Sequence, residues 1–358
     1  MGLPLGSGVT AGGCHTPSLG TSPTKPAACG GTFRGDDGTV YTCQHSLNNY
    51  WASTCGQMST WSESTCVDQA SSPYYTLSTG PPSAGLNLVW SDEFSQTAGS
   101  SVDCEKWNIE QITRSYNQEK QDYTASTANL YQDGQGHLHI KAVQTSAAWG
   151  GYTSARISTK GKGDWLYGRI DVGAKLPAGT GLWPAIWMLP SDSIYGAWAA
   201  SGEIDIVEMK GRLPNQIHST VHYRKYPGNA HKGTGAQNPL GLTSYTDRFY
   251  NFSMSWEPDA MTFRVDSQII GVLSMDEWFS ANGGTCSENA PYSEKGAPFN
   301  QRFHLLLNLA VGGHFDEHRL DPWTWTNNEM VIDYVRVFQR GACTTPSPTA
   351  SPTAIPTD

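Results

Sequence analysis

Glu203, Asp205 and Glu208 bring three carboxylates into one short run, Gly202-Glu203-Ile204-Asp205-Ile206-Val207-Glu208-Met209, separated by apolar side chains. The β-branched content and the alternation of its first half read as a strand, on which alternate side chains share a face. Glu203 and Asp205 then point one way, Ile204 and Ile206 the other. Strict alternation would carry Val207 to the carboxylate face and turn Glu208 into apolar packing, where an unpaired charge is costly. One extra residue, a β-bulge near Ile206-Val207, removes that conflict and returns Glu208 to the side of Glu203.

Facing carboxyl groups are what glycosidic-bond cleavage requires. One is ionised and attacks the anomeric carbon, while its partner keeps a proton for the leaving oxygen. Neighbouring negative charges raise the pKa of at least one member, so the cluster can hold a proton near neutrality. Asp205 is placed to hydrogen-bond Glu203 and fix its orientation. The backbones of Glu203 and Glu208 stand ~13 Å apart at ~3.3 Å per strand step. Retention of configuration sets the carboxyl groups ~5–5.5 Å apart, so both side chains must lean inward. A solvated acidic strand face or a metal site would use the same residue types, and spacing alone leaves those readings open. His218 and His222 add imidazoles, without a third metal ligand at convincing spacing.

A second strand-like run supplies aromatic side chains. In Leu182-Trp183-Pro184-Ala185-Ile186-Trp187-Met188-Leu189 alternation puts Trp183 and Trp187 on one face and Ile186 and Met188 on the other. Two indoles on one strand face fit a cleft floor that stacks sugar rings through their apolar faces, although core packing is the commoner fate of a Trp.

Elements of the same kind surround these two runs. LHIKAV, GRIDVGAKL, AIWML, FHLLLNLAV and MVIDYVRVF are short β-like stretches parted by Gly, Pro, Asn and Asp clusters. No amphipathic helix of useful length and no repeat of 20–50 residues interrupts them. The 358 residues are 11% aromatic and only 15% charged, with 38 Gly and 21 Pro, a composition that suits an all-β sandwich. Residues 1–70 are cysteine-dense and poor in core formers, 71–85 read as a Pro-stiffened linker, 86–340 as the main domain, and 341–358 as a Ser/Thr/Pro tail.

The net charge of −9 leaves no basic patch for nucleic acid or an anionic membrane. Phe303–Val311 is too short and too polar for a span of ~20 residues. Eight cysteines without a CxxC pair point to disulfides, an oxidising compartment and a secreted protein. Cys14, Cys29, Cys43, Cys55 and Cys66 precede the main domain, and Cys104, Cys286 and Cys343 follow. Both counts are odd, so complete pairing needs a bridge between leader and main domain.

Glu203-Ile-Asp205-Ile-Val-Glu208 resembles the ExDxxE signature of glycoside hydrolase family 16 in its bulged, laminarinase-like form. LVWSDEF (88–94), YNQEKQDYT (116–124), TSARISTKGK (153–162), YGRIDVGAKLP (167–177), GLWPAIWMLP (181–190), STVHY (219–223), LLLNLAVGG (305–313) and IDYVRVFQ (332–339) are similar to that family's blocks, in its order. The resemblance implies a β-jelly-roll sandwich with a substrate cleft across its concave sheet, and retaining endo-hydrolysis of β-1,3-glucan with no cofactor in catalysis. It makes Glu203 the nucleophile, Asp205 its electrostatic assistant, and Glu208 the general acid and then base. Trp198 falls where the family sets a Trp beside the cleaved sugar, and His222 where it has a histidine hydrogen-bonding near the nucleophile. Asn117 becomes a further cleft candidate. A structural Ca²⁺ away from the cleft would use Glu93, Gly136 and Asp333, oxygen ligands of the right kind; the alternative is that the two acids simply bond adjoining strands.

His314-Phe315-Asp316-Glu317-His318 stands where the family commonly has Trp-Pro, which opens the question of subsites and substrate. The expected partner is a β-glucan, met by a monomer. A non-catalytic glucan-recognition protein is the competing class, and mixed-linkage glucan or another polysaccharide the competing substrates. The leader's aromatics, Phe33, Tyr41, Tyr50, Trp51 and Trp61, would suit either polysaccharide binding or an inert cap.

Overall fold

The computed structural model describes residues 85–113, 116–224, 229–281 and 294–340, with three leader strands, Thr32–Arg34, Val40–Cys43 and Cys55–Gln57, in one antiparallel sheet. The rest of the leader, the linker up to residue 84 and the tail from 341 lie outside the described residues, as do Cys14, Cys29, Cys66, Cys286 and Cys343. Cys104 is described, and it is an exposed free thiol rather than the main-domain end of a bridge.

Among the described residues, two eight-stranded antiparallel sheets carry the fold. The first runs Asn229–Gly233, Ile217–Arg224, Glu203–Met209, Leu182–Pro190, Phe303–Val311, Arg156–Ser158 and Asn108–Ile109, with Asp164–Trp165 also on Phe303–Val311. The second runs Gln268–Ser274, Ala260–Val265, Tyr250–Trp256, Gly168–Lys175, Glu329–Arg340, Leu138–Lys141 and Leu130–Gln132, with Leu86–Asp92 also on Glu329–Arg340. Neighbouring strands are often far apart in sequence, which makes this the all-β, jelly-roll-like sandwich that the sequence pattern implies. Helical structure among the described residues is confined to three-residue 3₁₀ turns such as His314–Asp316.

The sheets bury one continuous core. Ile204, Ile186, Met188, Leu305 and Leu307 of the first meet Ile170, Val172, Phe252, Phe263, Ile332 and Val335 of the second. Phe303–Val311 is buried along its whole length for two different reasons. Phe303, Leu305, Leu307, Leu309 and Val311 enter the core, where each buried side chain contributes ~1.5–3 kcal/mol. His304, Leu306, Asn308 and Ala310 take the opposite face by alternation. A polar residue inside an apolar run therefore marks the functional side of the sheet. Truncating Leu307 to Ala would cost ~2–5 kcal/mol and loosen the strand that carries that face.

Candidate active site

The bulge sits where the side-chain conflict demands it. Across the ladder Met188 pairs with Ile204, Trp187 with Asp205, Ile186 with Val207 and Ala185 with Glu208, so Ile206 has no partner of its own. The register on the other side breaks over the same residues, between Asp205 and Glu208. Ile204, Ile206, Val207 and Met209 all enter the core, while Glu203, Asp205 and Glu208 share the opposite face. Gly202 admits the chain to this strand at φ +86°, and a Cβ there would stand 2.8 Å from the Phe299 ring. The geometry thus matches the sequence-based expectation for all three acids.

Each outer acid is held by an indole. Trp198 Nε1 donates to Glu203 Oε2 at 2.7 Å, and Trp183 Nε1 donates to Glu208 Oε1 at 2.9 Å. His222, opposite Glu203 on the next strand, places Nε2 3.1 Å from Asp205 Oδ2 and 3.9 Å from Glu203 Oε1. The histidine is therefore nearer the central aspartate than the expected nucleophile. Burial pushes all three carboxyl groups up, each to about 8. The Asp205 charge adds to that rise at Glu203 and Glu208, against the lowering influence of His222 and of the two indole donors. Such a cluster keeps protons at neutral pH, as an acid catalyst must.

The two platform tryptophans are more committed than a bare stacking floor. Trp183 already has one neighbour on its face, Phe315, at 5.0 Å between centroids and 22° between planes. Phe315 in turn meets the His218 edge at 5.3 Å and Lys210 Nζ at 5.1 Å. Asp316, fully buried, anchors this loop through Arg212 Nε at 2.6 Å. The His314–His318 departure from the family pattern thus sets an aromatic ring against the tryptophan that holds Glu208. Trp187 is covered by the Arg156 guanidinium at 4.7 Å, and its Nε1 donates to Asn308 Oδ1 at 2.7 Å. Trp198 remains 56% exposed beside the acids, the best placed of the three to meet a sugar.

Sequence reasoning missed the polar chain beneath Trp187. Asn308 Nδ2 donates to Tyr123 Oη at 3.0 Å, and Tyr123 Oη donates on to Glu119 Oε2 at 3.4 Å. Gln121 Nε2 reaches the same oxygen at 2.6 Å, and Asn117 Nδ2 reaches Glu119 Oε1 at 3.3 Å. Glu119 is buried and raised by that burial. Asn117 itself is exposed and acts at one remove: its carbonyl accepts from His314 N at 3.0 Å, tying its loop to the Gly313 turn. Gly313, at φ +87°, lies so close that a Cβ would stand 3.0 Å from Glu119 and 3.1 Å from Trp183. Asn308 inside FHLLLNLAV was the available signal.

The two acids expected to hold calcium lie on or beside the paired strands Leu86–Asp92 and Glu329–Arg340. Both Glu93 carboxylate oxygens are taken by Arg336, at 2.9 and 2.7 Å, so its side chain bonds the adjoining strand instead. A Cβ at Gly136 would stand 3.8 Å from the Glu93 carbonyl oxygen, and Asp333 is the extra residue of a bulge against Gly173-Ala174.

Residues 110–283 match the family described as Glycosyl hydrolases family 16, a span that includes the acid strand. The chain is 41% identical over 281 residues to glucan endo-1,3-beta-glucosidase A1 of Niallia circulans, covering 73% of this chain and 39% of that protein. It is 36% identical to glucan endo-1,3-beta-glucosidase of Cryptopygus antarcticus, covering 70% of this chain and 90% of that protein. Among solved structures, the laminarinase from Rhodothermus marinus superposes with a TM-score of 0.60 at 35% identity, covering 71% of this chain and 97% of that one.

Proposed function

The chain belongs to glycosyl hydrolases family 16 and is a glycoside hydrolase, and from that premise we propose that it cleaves β-1,3-glucan internally with retention of configuration. The observation that carries this reading is the pair of indole donors, one on each outer acid of a bulged strand. Glu203 attacks the anomeric carbon while Glu208 delivers its proton to the glycosidic oxygen. In the second half Glu208 takes a proton from water, which displaces Glu203 and regenerates both groups. Trp198 and His222 steady the nucleophile, and Asp205 raises Glu208 by its charge so that the acid stays loaded. No step calls for a cofactor.

Laminarin-type polysaccharide is the substrate that the named relatives support; mixed-linkage glucan stays a substrate to be compared. A glucan-recognition protein would have no use for a protonated carboxyl clamped by Trp183. We further propose a secreted monomer whose leader is knit by disulfides. Reducing-sugar release from laminarin, lichenan, agarose and xyloglucan tests the reading. Wild type should release sugar fastest from laminarin, and Glu203→Ser should abolish release. No release from any polysaccharide by the wild type would leave only recognition.

A further inference from the structure

Glu203, Asp205 and His222 each offer one donor atom, and the three atoms lie within 4.8 Å of one another. Asp205 Oδ2 is buried, in a residue only 3% exposed, and although His222 Nε2 lies 3.1 Å away it accepts no hydrogen bond among the described residues. Glu203 has Oε2 occupied by Trp198, which leaves Oε1 turned toward His222. Side-chain exposures of 26% for His222 and 16% for Glu203 leave the cluster open to the solvent side of the sheet.

Two carboxylate oxygens and one imidazole nitrogen on adjacent strands form a compact three-donor set. The mixture suits a borderline ion such as Zn²⁺, whereas Ca²⁺ and Mg²⁺ favour oxygen alone. Tetrahedral Zn²⁺ with bonds of ~2.1 Å holds its donors ~3.4 Å apart. The separations of His222 Nε2 from the two carboxylates, 3.1 and 3.9 Å, bracket that spacing, and no pair of the three donors is more than 4.8 Å apart. The fourth position would face solvent and take water. The sequence offered His218 and His222 with no third ligand; the fold supplies the partners from the next strand.

We infer that Glu203, Asp205 and His222 form a Zn²⁺-class site built on the nucleophile itself. An ion there ties up the lone pair that attacks the sugar and fills the space the sugar must enter. Inhibition is therefore reversible and competitive with glucan.

The test is Zn²⁺ uptake by the full chain in equilibrium dialysis, compared with His222→Gln, Glu203→Gln and the double variant H314Q/H318Q. The last removes an exposed imidazole pair whose centroids lie 4.6 Å apart, the natural rival for the ion. Loss of one equivalent of tight binding, or an affinity drop of at least about tenfold, is expected in both cleft variants and not in H314Q/H318Q. Laminarin oligosaccharides should weaken the same uptake, and a chelator should restore activity. Uptake unchanged in both cleft variants, or lost with His314 and His318, would overturn the inference. Thermal melts identify a variant that has not folded, and either cleft variant alone suffices. Uptake needs no turnover, so a failure of the glucanase reading and a failure of this site are told apart.

Discussion

Trp183 and Trp198 make the same bond to different acids, so removing each donor should move opposite limbs of the pH profile. Trp183→Phe deletes the N–H that lies 2.9 Å from Glu208 Oε1 and keeps most of the ring. That donor favours the ionised carboxylate, so its loss raises Glu208 further above its ordinary range. A hydrogen bond to a charged group contributes ~1.5–3 kcal/mol, and a pKa unit is 1.36 kcal/mol. At the lower figure, the basic limb of kcat/KM should move up by ~1 unit. Trp198→Phe deletes the 2.7 Å bond to Glu203 and raises the nucleophile instead. The acid limb then moves up and the bell narrows, by ~0.5 unit because water can replace part of a bond beside an indole 56% exposed. The assay is kcat/KM on laminarin across the pH range for wild type and both variants. If Trp183→Phe shifts the acid limb, or lowers the basic one, the assignment of roles is wrong.

Two further outcomes follow from the same cluster and its surroundings. Folding raises the carboxyl pKa values of Glu203, Asp205 and Glu208, so the folded state binds protons more readily than the unfolded one between pH ~4.5 and about 8. Stability contributed by the cluster is present below that window and falls as pH rises through it; Glu203→Gln should raise Tm at pH 8 and change it little at pH 4, by calorimetry. Asn308→Leu strands Trp187 Nε1 and one partner of Tyr123. Urea titration should show a loss of ~1–3 kcal/mol, and KM should rise more than kcat falls.

Local alternation made the acid strand legible. Ile206 and Val207 cannot both be accommodated on a regular strand without burying Glu208, and the bulge follows from that conflict alone. The shared face of Trp183 and Trp187 followed in the same way, as did Ile186 and Met188 in the core. What covers those indoles was not legible, because Phe315 and Arg156 arrive from strands and loops distant in sequence. Glu93 shows the same limit. Its Arg336 partner is 243 residues away, and only the pairing of Leu86–Asp92 with Glu329–Arg340 brings it close enough to claim the carboxylate. Long-range packing decided the fate of side chains whose own strands were plain from the sequence.

The division of labour between Glu203 and Glu208 is tested most directly by azide rescue with an aryl β-laminaribioside, whose leaving group needs no protonation. Glu208→Ala should accumulate glycosyl-enzyme and, with azide, recover turnover to give the β-glycosyl azide, because the nucleophile still acts first. Glu203→Ala should give the α-azide by direct displacement. An α-azide from Glu208→Ala, or a β-azide from Glu203→Ala, would contradict the assignment.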